Sequence, residues 1–148
     1  MRIFRQNRRS QFARPEERRG ASAVEMALVL PIFVLLLMGM VEFGRALMVG
    51  QLVTNAAREG ARMAILDGSS TASVKTSIQS FLAGAAGVSS GDITVTATVG
   101  GVTKDVSAAV AKEMVAIKVS IPFSKVSYLP PNFLKNVTLR GDSSMRHE

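Results

Sequence analysis

The spacing of apolar residues changes character along the chain. From Met26 to Val41 no residue is charged, a run of 16 positions that spans about 24 Å as a helix. A bilayer core is about 30 Å thick, so the run alone falls short; adding Ala21 to Val24 closes the gap and puts Glu25 at the interface or just inside it. Beyond Val41, Phe43, Leu47, Leu52, Ala56 and Met63 keep a loosely helical spacing with polar residues between them. The pattern predicts one helix over residues 21–66, bent at Pro31, apolar in its first half and amphipathic in its second. Such a helix is about 70 Å long, more than a domain of this size can bury, so lipid or other subunits must cover part of it.

Asp67-Gly68-Ser69-Ser70 is a break rich in turn residues. Val74, Ile78, Phe81, Leu82 and Ala85 then predict a short amphipathic helix ending at Gly87. Ile93, Val95, Ala97 and Val99 alternate with threonines, and Gly100-Gly101 before Val102 signals a hairpin. Alternation returns from Val115 to Ile121, stops at Pro122, and returns at Val137 and Leu139. The fold class that follows is α+β: a long N-terminal helix, then a head over residues 67–148. The head is three or four antiparallel strands whose apolar face the short helix covers. Phe123, Tyr128 and Phe133, gathered around Pro130-Pro131, are expected to close the end of its core.

Charge changes the picture less than its total suggests. The net charge is +7, but residues 1–20 hold seven arginines against Glu16 and Glu17, a net of +5, which leaves +2 for the rest. The basicity belongs to a leader, which argues against nucleic acid as a partner. Arginines before the apolar run and few after it predict a cytoplasmic N-terminus and an exported head. With no cysteine, that head folds without disulfides and thiolate zinc sites are excluded. His147, the one histidine, lies in a polar tail. No pattern of catalytic, cofactor-binding or metal-binding residues emerges, so an enzyme reading has little support.

The candidate chemistry lies in the long helix. A carboxylate near lipid is costly, which marks Glu25 as functional. If a peptidase on the cytoplasmic face cuts between Gly20 and Ala21, the new α-amino group lies four residues from Glu25 on one helical face. The carboxylate then neutralises its own N-terminus or that of a neighbour, and the paired charges escape much of the penalty of a lone one. Small residues recur at four-residue steps, Ala57 with Ala61 and Ala56 with Gly60, which permits close helix approach; a plain preference of alanine for helices explains the same pattern. Glu42 and Arg45 are three residues apart, as are Glu59 and Arg62. Arg58 and Arg62 share a face that either is simply solvated or meets acidic groups on a neighbouring helix or on the head.

The run GASAVEMALVLPIFVLLLMGMVEFGRALMVGQLVTNAAREGAR resembles the type IV prepilins and, more specifically, the TadE-like family of pseudopilins from tight-adherence (Tad, or Flp) pilus systems. Val24-Glu25, Leu30-Pro31, Glu42-Phe43-Gly44-Arg45 and Ala56-Ala57-Arg58-Glu59-Gly60-Ala61-Arg62 carry the resemblance. It implies cleavage by a prepilin peptidase after Gly20 and a minor role in building a pilus for adhesion and biofilm formation. Implied partners are the major Flp pilin, a second pseudopilin, the inner-membrane assembly platform with its ATPase, and the lipid bilayer. Met26 departs from the aromatic that follows the Glu in major pilins, which suits a pseudopilin. Three competing readings are an uncleaved signal-anchored protein with an exported binding domain, a secreted protein, and an enzyme in the head.

Overall fold

The computed structural model of the chain describes residues 15–128 and 136–147. Most of the arginine leader, and Pro130, Pro131 and Phe133 of the aromatic loop, lie outside the described residues. The first helix, α1, covers Pro15–Ala64 and holds Pro31 within it. It starts earlier than the apolar pattern predicts. Proline suits the first position of a helix because its missing N–H would be unpaired there anyway. The chain divides into two compact units, Met1–Met38 and Gly39–Glu148. Residues 20–38 are exposed throughout, and Gly20–Ala64 is long and apolar enough to cross a membrane.

The second unit holds the head. Its short helix, α2, covers Thr71–Ala86 and begins where the sequence places a turn. Ser70 and Ser73 form a reciprocal capping box there. Gly87 ends α2 in the left-handed region, its N–H donating to the Ala83 carbonyl. Three strands follow: β1 over Thr94–Val99, β2 over Met114–Pro122 and β3 over Thr138–Arg146. They form one antiparallel sheet in the order β1-β2-β3, with Val99 opposite Val115 and Val119 opposite Gly141. The predicted Gly100-Gly101 turn forms, with Val99 and Val102 exchanging backbone hydrogen bonds across it. The chain then leaves the sheet before β2 begins, instead of continuing directly into the partner strand.

One core fills the head. Val115, Ile117, Val119 and Ile121 of β2 are buried with Ala97 and Val99 of β1. Val74, Ile78, Leu82 and Ala86 of α2 join them, as a four-residue period predicts. The sheet's cover is not α2 alone, however. Val49, Val53, Ala56, Ala57, Ala61 and Ala64 of α1 belong to the same buried cluster. Small side chains on this face let the helix lie close to the sheet, with its backbone directly over Gly141. A Cβ added to Gly141 would stand 2.8 Å from the backbone N and Cα of Thr54. Phe123 is buried as expected, whereas Tyr128 is exposed.

Candidate functional site

Among the described residues, the buried charged one is Glu42 of α1, 4% exposed. Its carboxylate accepts hydrogen bonds from the Ser127 hydroxyl at 2.9 Å and the Tyr128 backbone N–H at 3.1 Å. One turn on, Arg45 donates through Nε to the Val126 carbonyl at 3.1 Å and through its terminal nitrogen to the Ala86 carbonyl. Its guanidinium lies over the Tyr128 ring, 4.6 Å from the centroid. The two residues therefore act as a clamp. Together they fix the segment after β2 and the end of α2 against α1. Spacing alone placed Glu42 and Arg45 three residues apart; it gave no hint that both reach more than 40 residues along the chain.

The small residues of α1 face inward. Ala57 and Ala61 are fully buried, and a Cβ on Gly60 would meet the end of the Ile78 side chain and, at 3.4 Å, Ile117. Their close approach is to the chain's own α2 and β2. Gly39, Gly44 and Gly50 have nothing within 4 Å of an added Cβ. The charged side of the same helix turns outward, with Arg58, Glu59 and Arg62 all exposed. A groove of about 380 Å³ runs beside them, lined in part by Asn55, Glu59, Met63, Ile78 and Phe81. Pro31, Glu25, Ala21 and Gly20 lie on the exposed part of α1. Among the described residues, no group of three or more His, Cys, Asp or Glu is placed to hold a metal ion.

The model of the TadE-like protein family matches residues 20–62. That segment is TadE-like. The match runs from Gly20 through the exposed apolar stretch, the Glu42–Arg45 clamp and the Arg58–Arg62 cluster, and stops just before α1 ends. A TadE-like segment points to a protein associated with the Tad pilus, and the long apolar helix found among the described residues fits a single-pass membrane anchor. Comparison with curated proteins and with solved structures gave no match. The sheet and α2 lie outside the TadE-like segment, yet they close over its second half and share a core with it.

Asp105 went unnoticed in the sequence. It accepts from the Ser107 N–H at 2.9 Å, the Ser107 hydroxyl at 2.8 Å and the Thr71 N–H at 3.3 Å. The Thr71 hydroxyl in turn accepts from the Val106 N–H, which ties the β1–β2 connection to the start of α2. Hydrogen bonds from Ser107, then from Thr71, hold the Asp105 carboxyl below its ordinary value. A carboxyl lowered on folding stabilises the head above its unfolded pKa, and that contribution fades as pH falls through the folded value. Asp105→Asn is therefore expected to lower the melting temperature at neutral pH. The gap from wild type should shrink as the pH is taken below 3.8. Melting curves across that range check both parts, and a gap independent of pH would refute the assignment.

Proposed function

We propose that this protein is a minor pseudopilin of a tight-adherence pilus, cleaved after Gly20 and acting by packing and charge pairing, without catalysis. The observation that carries the reading is the TadE-like segment, which opens at Gly20 and runs directly into an exposed apolar helix. In this reading a prepilin peptidase removes residues 1–20, leaving the helix at 21–66 and the head at 67–148. The leader's arginines keep the N-terminus cytoplasmic and the head is exported across the inner membrane. Gly20 lies inside α1, where glycine costs about 1 kcal/mol relative to alanine, a weak point at which the helix opens for cleavage.

Cleavage gives Ala21 a charged amine, and Glu25 neutralises that amine or a neighbouring subunit's. Arg58, Glu59 and Arg62, exposed beside the groove, meet the partner subunits. The partners are the major Flp pilin, a second pseudopilin and the assembly platform, in a pilus serving adhesion and biofilm formation.

The test is the intact mass of the membrane-extracted protein from cells with and without prepilin peptidase. A chain starting at Ala21 only when the peptidase is present supports the reading, and Gly20→Arg should abolish that product. A full-length chain in both cells would make the protein an uncleaved signal anchor. Glu25→Ala is expected to be cleaved normally and to lose pilus assembly; normal pili on those cells would refute the pairing argument.

A further inference from the structure

The outward face of α1 changes composition within the head unit. At its start the exposed large residues are Met40, Val41, Phe43, Leu47 and Met48, with Phe43 60% and Leu47 69% exposed. From Gln51 onward they are Gln51, Asn55, Arg58, Glu59 and Arg62. The switch falls between Met48 and Gln51. A water-facing helix has no reason to show five large apolar side chains and then five polar ones along the exposed surface of a domain it packs against. A helix leaving lipid does.

The opposite face of the same stretch explains how two charged residues can stand there. Glu42 and Arg45 turn toward the head, and hydrogen bonds from Ser127 and Tyr128, and to Val126 and Ala86, satisfy their polar groups. This also resolves the short length of the uncharged run. A spanning helix needs about 20 apolar residues, and counting about 20 from Met26 ends at Arg45 rather than at Val41. Arg45 carries the Tyr128 ring on its guanidinium, and that ring is 68% exposed. Aromatic and arginine side chains of this kind collect at the level of lipid headgroups.

We propose that the base of the head, formed by Phe43, Arg45, Leu47 and Tyr128, is seated in the phospholipid headgroup layer of the bilayer that holds α1. The seat rests on the membrane reading of α1, and it fixes the depth at which that helix stops. Phe43 and Leu47 reach the acyl chains. Tyr128, stacked on Arg45, lies at the boundary. Phe43 to Met48 spans about 7 Å of helix, close to the thickness of one headgroup layer. The groove beside Phe81 stands clear of the lipid, because it opens on the polar stretch of α1 from Asn55 onward.

The chain contains no tryptophan, so a single substitution supplies a unique reporter. Three full-length variants, Phe33→Trp, Tyr128→Trp and Phe81→Trp, are reconstituted into phosphatidylcholine–phosphatidylglycerol vesicles carrying spin labels either on the headgroup or deep in the acyl chain. The expected result is that the Phe33→Trp protein is quenched best by the deep label and the Tyr128→Trp protein best by the headgroup label. The Phe81→Trp protein should be quenched by neither. If the Phe33→Trp protein is quenched while the Tyr128→Trp protein behaves like Phe81→Trp, the seat is wrong and the membrane anchor stands. If the Phe33→Trp protein is not quenched, the anchor and the seat both fall.

Discussion

Gly141→Ala should destabilise the head by about 3 kcal/mol, the upper end of the usual cost of forcing atoms into a packed core. The added Cβ would stand 2.8 Å from the Thr54 N and Cα and from the Val53 carbonyl oxygen. All three are backbone atoms of α1, so no side chain can rotate away; the helix must lift from the sheet, and every contact from Val49 to Ala64 with it. Gly141→Val should prevent the head from closing. Gly60→Ala supplies the contrast. Its Cβ meets the flexible end of Ile78, and alanine gains about 1 kcal/mol over glycine in a helix, so the two effects nearly cancel. Thermal unfolding of the full-length proteins in detergent, followed by the β-sheet signal, separates the cases. A Gly141→Ala protein that melts like wild type would mean that α1 does not lie on β3.

Gly141 also shows where reading the sequence stops. The alternation of Val115, Ile117, Val119 and Ile121 displays β2 openly, because each inward position is a large apolar residue. In β3 the inward positions are Leu139, Gly141, Ser143 and Met145, and alternation fades after Leu139. Gly141 carries no side chain because the α1 backbone at Val53 and Thr54 is close above it, a constraint set by tertiary packing rather than by strand propensity. The long helix was legible from its period, as was α2 from its cap and its four-residue repeat. That the second half of α1 belongs to the head was not, since alanines at positions 56, 57, 61 and 64 look alike against a partner helix or the chain's own sheet. The pairing of Glu42 and Arg45 with residues 126–128 was equally hidden. Ser127 and Tyr128 stand in a loop whose composition says nothing about what it touches.

Glu42→Ala should have the other large effect, a loss of about 3 kcal/mol, because two hydrogen bonds to a charged group disappear and their donors are left behind. The loss is local in origin. Without the carboxylate, the Tyr128 N–H and the Ser127 hydroxyl lose the acceptor that holds their segment on α1. Arg45 keeps the Val126 carbonyl and the Tyr128 ring only if that segment stays in place, so the second half of the clamp weakens with the first. Glu42→Gln keeps the size and one acceptor oxygen, so it should retain the Tyr128 N–H bond and lose roughly half as much. Amide hydrogen exchange at Tyr128 in the full-length protein reads this directly: fast in the alanine variant, intermediate in the glutamine variant, slow in wild type. Equal protection in all three would remove Glu42 as the anchor of the segment. The order expected here gives a buried carboxylate in an otherwise apolar stretch a role within its own chain. Glu25, by contrast, is exposed in that same helix.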